Sequence, residues 1–499
     1  MSQDILFINP RINVRTQRET VSKVIRATFP FSLGHLAGYL LREGYSVGVV
    51  DDQLSPLDDE ALSRLLSRMR APKIVGISVL TATSARAYEL AGTIKRLEPS
   101  AQVILGGVHA TVLPEEALSR PGPDYVVRGE GELTLSELVR RIAKGQGAEG
   151  VQGVSHRCGG TVIHNPERPL VEDLDSLPRF PYHLFAKDAA FYPGFASVQT
   201  SRGCPFGCKF CSQRSVTGRS YRYVSTTRAI AEIETLVNTY GATTIRLMDD
   251  NIGTNKERLI ALCDAIIARG FHKKASFEGP MRGDDLLRGG FAAKLKEANF
   301  SLVTFGLETA SNPLMKAMGK GETVEQVAEA IRITAANGIS VGTTLIFGFP
   351  GETNADRWAA IRLVSSLPLE SARYNILTPY PGTPIYHELL EQGKLNVKKD
   401  WENFSVQYMW ESDELPYVPE GTGRYELMFF AMLGNLLFYL RPSGLKKLFT
   451  GSAAGGNVIQ LKKGWYLSTF AFRIVRVGLF LIWRFSVVCF RMILEKLGG

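Results

Sequence analysis

Cysteine is scarce in this chain and unevenly distributed. Six cysteines occur in 499 residues, and three of them share one short segment. This distribution lacks the regular spacing of the disulfide frameworks that staple small secreted proteins. The N-terminal sequence also lacks the charged leader and apolar stretch of a secretory signal. It is typical instead of a first buried strand, from Asp4 to Asn9.

The sequence also disfavours two further classes, nucleic-acid-binding proteins and proteins with a membrane-spanning C-terminal helix. The net charge is +9, but the excess is not gathered into a basic patch interleaved with aromatic residues, so we expect no nucleic acid partner. The apolar C-terminal region also lacks a run of about 20 apolar residues with few charges, which a membrane-spanning helix needs.

An ordinary globular composition is present, with 45% hydrophobic and 21% charged residues. In residues 1–149, short apolar strands alternate with helices of about 12 residues, a pattern that predicts an α/β domain with a doubly wound parallel sheet. We expect one of its helices to run from Pro56 to Arg70, with Ser55 as its N-cap. Ligands of such sheets bind beyond the carboxyl ends of the strands.

Residues 150–192 are predicted to form a linker, since Pro178 and Pro181 favour extended backbone. Residues 193–412 form a second array of about six βα units, short of the eight of a closed barrel, and so predict a partial (β/α)6 barrel. Side chains able to do chemistry follow its predicted strands. They are the three clustered cysteines, Asp249, Asp250, Glu308, Glu352 and Tyr380. We expect one active site at that end of the barrel.

Residues 413–499 are predicted to be helical and strongly apolar. The stretch from Trp465 to Leu497 carries four arginines that share one stripe of a helix at about 100° per residue. They are Arg473, Arg476, Arg484 and Arg491. We expect a helix lying in the plane of a membrane surface, with these guanidinium groups at the lipid headgroups. The alternative is a helix packed on the barrel, with its basic stripe in solvent.

The clustered cysteines, Cys204, Cys208 and Cys211, follow the spacing C-x3-C-x2-C. Three thiolates are one short of a closed zinc site and of the usual ferredoxin cluster. A cubane iron–sulfur cluster held by three thiolates leaves one iron open to bind and activate a second molecule. The alternative is a zinc knuckle or a ferredoxin-type cluster whose fourth ligand lies elsewhere. A redox-active cluster favours the cytoplasm as its compartment.

The cysteine segment, its place after the first strand of the barrel and the partial barrel itself resemble the radical S-adenosylmethionine superfamily over residues 193–405. The resemblance implies a [4Fe-4S] cluster held by Cys204, Cys208 and Cys211. Asp249-Asp250 stands where many members have a Gly-Gly-Glu run. The contacts with S-adenosylmethionine implied by the resemblance are Phe210, Asp249, Asp250, Arg282, Glu308 and Phe347.

The N-terminal domain resembles that of the cobalamin-binding class of these radical enzymes. The segments that carry this resemblance start at Phe31, Ser78, Gly106 and Val127. The D-x-H-x-x-G sequence that supplies a histidine to cobalt in other cobalamin proteins is missing. The contacts with cobalamin implied by the resemblance are Ser78, Thr81, Gly106, Gly107, His109, Gly129 and Glu130. The alternative is a domain of this fold that has lost the cofactor.

The resemblance implies that S-adenosylmethionine is cleaved to a 5′-deoxyadenosyl radical, most typically for cobalamin-dependent C-methylation. The apolar C-terminal region favours a small apolar substrate, such as a lipid, an isoprenoid or a tetrapyrrole. One alternative is radical cyclisation, ring contraction or rearrangement without methyl transfer. Another is an iron–sulfur electron-transfer or binding protein. Expected partners are an electron donor such as flavodoxin or ferredoxin and a membrane surface, with the protein peripheral on the inner face of the cytoplasmic membrane.

Overall fold

The computed structural model describes residues 3–12, 27–404, 413–441 and 467–497, with side chains described from residue 479 onward in the last range. The first domain is built on strands of buried aliphatic residues, such as Ile5 and Ile8, which are both fully buried. Strands buried on both faces are typical of parallel sheets covered by helices. Its strands are β1 (Gln3–Asn9), β2 (Val47–Asp51), β3 (Met69–Ser78), β4 (Gln102–Gly106), β5 (Tyr125–Val127), β6 (Val154–Cys158) and β7 (Thr161–His164).

Within the described residues, the strands of the first sheet follow the order β2-β1-β3-β4-β5-β6-β7. The first five strands in this order are parallel. The strand order therefore reverses between β1 and β3, the switch point at which ligands of such sheets bind. Helices cover the sheet. They are α1 (Phe31–Arg42), α2 (Asp59–Ser67), α3 (Ser84–Leu97), α4 (Val108–Val112), α5 (Pro114–Ser119) and α6 (Gly131–Ala143).

Two local expectations for this domain differ from the structure. Helix α2 begins at Asp59 rather than Pro56, because the side chain of Asp58 accepts a hydrogen bond from the Ala61 amide at 2.8 Å, so the predicted cap at Ser55 is wrong. The segment 150–192, predicted as a linker, begins with β6 and β7, which extend the first sheet in antiparallel fashion.

The barrel strands also form one sheet, with the order β15-β14-β13-β12-β11-β8 among the residues that the structure covers. All neighbouring pairs are parallel. A separate antiparallel pair, β9–β10, lies next to the first barrel strand. The strands are β8 (Ser197–Val198), β9 (Ser201–Arg202), β10 (Arg222–Tyr223), β11 (Thr244–Leu247), β12 (Ser276–Met281), β13 (Phe300–Glu308), β14 (Ser340–Phe347) and β15 (Ser371–Ile376).

Helices alternate with these strands, and polar caps set their starts. For example, Thr323 accepts from the Gln326 amide in a capping box at the start of α13. The helices are α7 (Arg214–Thr217), α8 (Thr226–Tyr240), α9 (Lys256–Ala268), α10 (Gly283–Gly289), α11 (Ala292–Glu297), α12 (Asn312–Ala317), α13 (Val324–Ala336), α14 (Asn354–Ser366) and α15 (Pro384–Glu391). Short 3-10 helices lie at Thr81–Thr83, Leu174–Ser176, Tyr182–Leu184, Ala186–Phe191, Phe271–Lys273 and Lys399–Trp401.

Aromatic side chains join the two domains. Phe180, in the connecting segment, stacks on Phe31 of α1 with ring centroids 4.7 Å apart. Phe29 makes edge contacts with Phe185 and Phe195 at 5.1 Å and 5.8 Å. The connecting segment is therefore packed into the interface rather than exposed as a free tether.

The C-terminal helix α16 (Arg424–Leu440) packs on the barrel edge at β15, and helix α17 (Leu467–Leu497) packs on α16. Arg484 and Arg491 of α17 both donate to the carboxylate of Asp413, so their expected place at lipid headgroups is wrong. Arg473 and Arg476 lie outside the described side chains. Among the described residues, no helix combines the length and apolarity needed to cross a bilayer.

Candidate functional site

The three cysteines lie in a loop, residues 203–211, at the carboxyl end of the first barrel strands. This cysteine loop is held from several sides. Gly203 has a φ of +85°, in the left-handed region that favours glycine, and its amide donates to Asp250 at 3.0 Å. The Lys209 amide donates to the Met318 carbonyl at 2.9 Å. The loop is thus positioned by strand ends far away in sequence.

Burial raises the pKa of all three thiols. For Cys208, the nearby charges of Lys320 and Arg282 oppose that rise. No set of three or more His, Cys, Asp or Glu side chains in the described part of the chain could hold a single metal ion. The thiolates of a cubane cluster bind separate irons and so lie farther apart than the ligands of one ion. Three thiols in one loop beside two buried cations fit such a cluster.

Asp249 and Asp250 differ sharply in their surroundings. The Asp249 carboxylate is buried and accepts from the Thr200 amide at 2.7 Å and from the hydroxyls of Thr200 and Ser201 at 2.6 Å. Arg258 also contacts it at 3.3 Å. Asp249 therefore fixes the end of β8, and its expected contact with S-adenosylmethionine does not fit this arrangement.

Asp250 faces the cysteine loop and retains solvent access. Surrounding protein atoms, and then the charge of Asp249, raise the pKa of Asp250 to about 6. Of the two carboxylates, Asp250 is the one that remains exposed beside the cysteine loop.

The guanidinium group of Arg282 is also held by contacts within the protein. Its guanidinium stacks over the Phe206 ring at 3.6 Å, inside the cysteine loop. Nε donates to Asp284 at 2.9 Å, and Nη1 donates to the carbonyl of Lys320 at 2.7 Å. Arg282 braces the loop, which leaves little donor capacity for the expected contact with S-adenosylmethionine.

Glu308 ends β13 with a φ of +60°, a conformation that non-glycine residues rarely adopt. Its buried carboxylate accepts from the Lys320 ammonium at 3.0 Å. Lys320 also lies 3.6 Å from Glu322, whose Oε1 is buried without a hydrogen-bond partner. Sequence reasoning missed Lys320 and Glu322, although the run Gly319-Lys-Gly-Glu322, with both glycines at positive φ, signals a tight turn.

The two phenylalanines proposed as contacts are apolar packing residues in the structure. The Phe347 side chain is fully buried in the barrel, with its ring 5.6 Å from that of Tyr374. Phe210 packs partly buried against a cluster that includes Met318 and Phe349. At Phe347 the backbone, rather than the side chain, stands at the strand end.

A cavity of about 400 Å³ lies between the carboxyl ends of the first sheet and the barrel residues that flank the cysteine loop, including Arg202 and Ser212. Five of the residues expected to contact cobalamin line this interdomain cavity. They are Ser78, Gly106, Gly107, Gly129 and Glu130. The barrel contributes Ser212 and Gln213, which directly follow Cys211. Five glycines line it, and at Gly129, which has a φ of +71°, an added Cβ would meet no protein atom within 4 Å. The lining fits a large, flat ligand approached closely by backbone.

The structure places His109 and Thr81 elsewhere. His109 is fully buried, with Nδ1 3.2 Å from the Thr81 hydroxyl and its ring 5.3 Å from that of Trp401. The histidine that lines the cavity is His35, which sequence reasoning missed within the segment starting at Phe31. Burial, and then the charges of Arg202 and Arg228, lower the pKa of His35 well below its ordinary value, so it is neutral.

Both domains that form this site match known protein families. The Radical SAM superfamily profile matches residues 198–364, and the B12 binding domain profile matches residues 21–139. An uncharacterized methyltransferase of Pyrococcus horikoshii is 33% identical over 431 residues, covering 86% of this chain and 91% of the relative.

Other relatives carry named activities. An anaerobic magnesium-protoporphyrin IX monomethyl ester cyclase of Cereibacter sphaeroides is 29% identical over 372 residues, 73% of this chain and 60% of the relative. The hopanoid C-3 methylase of Methylococcus capsulatus is 27% identical over 415 residues, 81% of this chain and 76% of the relative.

The fold agrees with that of the radical S-adenosylmethionine methyltransferase TsrM of Kitasatospora setae, solved with cobalamin and a [4Fe-4S] cluster bound. The TM-score is 0.69 at 19% identity, covering 89% of this chain and 90% of that one. The chain therefore belongs to the cobalamin-binding radical S-adenosylmethionine enzymes, with a [4Fe-4S] cluster, S-adenosylmethionine and cobalamin as its cofactors.

Proposed function

We propose that this enzyme methylates a carbon atom of an apolar substrate, with cobalamin as the methyl carrier. The observation that carries this proposal is the interdomain cavity, which brings the glycine-rich strand ends of the cobalamin domain against the residues after Cys211. Methyl donor and radical source must both reach one substrate carbon, and a shared cavity satisfies that need. When bound, the cofactors supply methyl transfer and radical formation, while the protein supplies orientation and electrostatics.

Each part of the chain has a separate task in this proposal. Cys204, Cys208 and Cys211 would hold the cluster. Asp250 and Glu308 would face S-adenosylmethionine, since their carboxylates stand at strand ends beside the cysteine loop. Asp249, Arg282 and Phe347 would instead keep the barrel ends and the loop in place. The cobalamin would be held by Ser78, Gly106, Gly107 and Gly129, and neutral His35 lines the same cavity.

A bulky side chain placed in the cavity should weaken the binding of cobalamin and leave the iron–sulfur cluster unaffected. We expect Ser78→Phe to weaken cobalamin binding by tenfold or more, because forcing a ring into occupied space costs about 1–3 kcal/mol. The cluster should remain, as should reductive cleavage of S-adenosylmethionine to 5′-deoxyadenosine. Cobalamin binding is measured by equilibrium dialysis of the anaerobic protein.

Ser67→Phe, on the exposed end of α2, is the matched control and should bind cobalamin as the wild type does. Unchanged cobalamin affinity in Ser78→Phe would mean that cobalamin does not occupy this cavity.

The proposal of an apolar substrate is supported by the hopanoid methylase relative and by the C-terminal helices. Apart from Val488 and Arg484, which are buried, α17 exposes a set of large apolar side chains. They are Leu479, Ile482, Phe490, Ile493, Leu494 and Leu497. At roughly 100° per residue these fall within about 120° of one another. An exposed apolar stripe of this size typically marks an interaction site.

We propose that this stripe lies on the inner face of the cytoplasmic membrane, where an apolar substrate would be reached. Residues 441–478, between the two C-terminal helices and into α17, contain seven Lys and Arg and no Asp or Glu. A basic segment next to an apolar helix face suits anionic lipid. The arginines at 484 and 491 serve to attach α17 to Asp413 rather than to contact headgroups.

Two acidic substitutions test the membrane surface. In the double variant Ile482→Glu with Phe490→Glu, binding to phosphatidylglycerol vesicles should fall at least about tenfold, because burying each apolar side chain contributes about 1.5–3 kcal/mol. Co-sedimentation with vesicles measures the bound fraction.

The control is the double variant Leu390→Glu with Phe191→Glu, which changes an exposed leucine and an exposed phenylalanine on other surfaces. Equal loss of vesicle binding in both double variants would argue against the α17 stripe as the contact.

The second candidate function is radical cyclisation without methyl transfer, favoured by the similarity to the magnesium-protoporphyrin ester cyclase. The two functions differ in what they consume. Methyl transfer from S-adenosylmethionine to cobalamin releases S-adenosylhomocysteine, whereas cyclisation does not require it. Detection of both S-adenosylhomocysteine and 5′-deoxyadenosine would favour the methyltransferase.

A further inference from the structure

Four charged side chains form a buried ion-pair network between the two domains. Glu130 and Glu132 come from the first domain, and Arg202 and Arg222 come from the β9–β10 hairpin of the barrel. The side chain of each is at most 10% exposed. We call these four residues the interdomain clamp. Their formal charges sum to zero, as a buried charge network requires.

The hydrogen bonds of the clamp saturate Glu130. Arg222 binds it with both terminal nitrogens, at 2.8 Å to Oε2 and 2.9 Å to Oε1. Arg202 adds a contact at 3.3 Å to Oε1 and donates to Glu132 at 2.7 Å. The Val171 amide donates to Oε2 at 2.9 Å. Glu130 lines the cavity, yet both of its oxygens are already bound, so it is poorly placed to be a ligand of cobalamin.

Three residues of the clamp, Glu130, Glu132 and Arg202, line the cavity themselves, and their charged groups are bound to one another or to Arg222. Glu130 lies between Gly129 and Gly131 in the loop that lines the cavity. Arg202 stands two residues before Cys204, and it pairs with Arg222 across the hairpin. A displacement of either arginine would therefore move the start of the cysteine loop relative to the cavity.

The chemistry of the pairs suits a positioning role. Paired hydrogen bonds between a guanidinium and a carboxylate fix both distance and angle, which a single contact does not. Interfaces between domains of one chain otherwise allow relative motion. A site that brings two reactive groups together must hold them within about 0.5 Å of the productive geometry.

We propose that the interdomain clamp sets the separation and orientation of cobalamin relative to the iron–sulfur cluster and binds neither of them. This proposal rests on the proposed function, since it assumes that both cofactors act on one substrate. The clamp residues are positioning residues, and their role is to hold the cysteine loop against the cavity. Binding of each cofactor is left to the glycine-rich loops and to the cysteines.

The test measures the spacing directly and needs no substrate. The protein is loaded anaerobically with the cluster and cob(II)alamin, and the cluster is reduced at a potential that leaves the cobalt as cob(II), since cob(I)alamin has no unpaired electron. Pulsed EPR measures the dipolar interaction between the two unpaired electrons, which falls with the cube of their separation. In Arg222→Gln we expect a weaker or broadened interaction. Arg222→Lys, which keeps the charge but loses the paired geometry, should be intermediate. Cobalamin affinity should stay within about threefold of the wild type.

The matched control is Arg246→Gln, which removes an arginine that pairs with Glu278 inside the barrel at 3.2 Å, and its dipolar interaction should equal that of the wild type. If Arg222→Gln fails to fold, Glu130→Gln, which keeps the shape of the side chain, takes its place. An unchanged interaction in a variant that binds both cofactors would overturn the proposal, as would a tenfold loss of cobalamin affinity. Failure of the proposed function itself would be seen separately, as wild-type protein that forms no S-adenosylhomocysteine.

Discussion

Cys208→Ala should give a folded protein that holds no [4Fe-4S] cluster and forms no 5′-deoxyadenosine. The cysteine loop supplies three thiols, each of which would bind a separate iron, so the loss of one leaves two open irons and a cluster without adequate anchoring. The charges of Lys320 and Arg282 oppose the effect of burial on the pKa of Cys208. Iron and sulfide content, the absorbance near 400 nm and the EPR signal of the reduced protein measure the loss.

Cys158→Ala is the control, since Cys158 is an exposed thiol at the end of β6. That variant should assemble the cluster and cleave S-adenosylmethionine at the wild-type rate. A redox-active four-iron cluster retained by Cys208→Ala would show that the ligand set is different.

Lys320→Met should destabilise the fold by about 3–5 kcal/mol, because it leaves buried carboxylates without their cation. Burial alone lowers the pKa of Lys320, but the charges of Glu308 and Glu322 outweigh that effect and raise it, so the ammonium is charged at neutral pH. Its loss would leave Glu308, in its left-handed conformation, without the 3.0 Å hydrogen bond that holds it. We therefore also expect weaker binding of S-adenosylmethionine.

The pH dependence of this variant has a definite sign. Burial already raises the folded-state pKa of Glu322, against the opposing charge of Lys320, so removing that charge would raise it further. A group with a raised folded-state pKa favours the folded protein at low pH, and that contribution is lost as pH rises through the folded-state pKa. The free energy of unfolding of Lys320→Met should therefore recover towards that of the wild type as pH is lowered from 8 to about 5.

Denaturant unfolding at several pH values measures this recovery. Lys316→Met, which removes an exposed lysine four residues away, should change the free energy of unfolding by less than about 0.5 kcal/mol. A stability of Lys320→Met equal to that of the wild type would contradict the ion-pair network around Glu308.

Much of the fold could be predicted because its signals are local. Runs of buried aliphatic residues separated by helices define the parallel strands, and the short spacing of the cysteines defines the metal-binding loop. The start of α2 was missed because Asp58 and Ser55 are both good caps, and tertiary packing decides between them. The pairing of β6 and β7 with the first sheet was missed because strand pairing depends on partners distant in sequence.

The individual site residues were harder to predict, because the hydrogen-bond partners of a polar side chain depend on the tertiary structure. Asp249 stands at a strand end as expected, but its carboxylate already accepts hydrogen bonds from Thr200 and Ser201. Arg282 is likewise taken by Asp284 and by the ring of Phe206. Glu130 lines the cavity as expected, yet Arg202 and Arg222 occupy it. Sequence position identifies which side chains reach the site, but not which remain free there.

The arginine stripe of α17 shows the same limit. Helical periodicity correctly groups Arg484 and Arg491 on one face, but it does not say which face packs against the rest of the protein. Asp413, about 70 residues earlier in the chain, turns that face inward. The apolar side chains on the opposite face are thereby exposed, which moves the proposed membrane contact from the arginines to the leucine-rich stripe.

One measurement tests the central claim most directly, namely that this chain joins radical formation to cobalamin-dependent methyl transfer. The anaerobic protein, reconstituted with its cluster and cobalamin, is reduced in the presence of S-adenosylmethionine carrying a labelled methyl group. We predict that 5′-deoxyadenosine and S-adenosylhomocysteine both form, with the label recovered on the protein-bound cobalamin. Formation of 5′-deoxyadenosine with neither S-adenosylhomocysteine nor labelled cobalamin would contradict methyl transfer, and formation of neither product would contradict the radical chemistry as well.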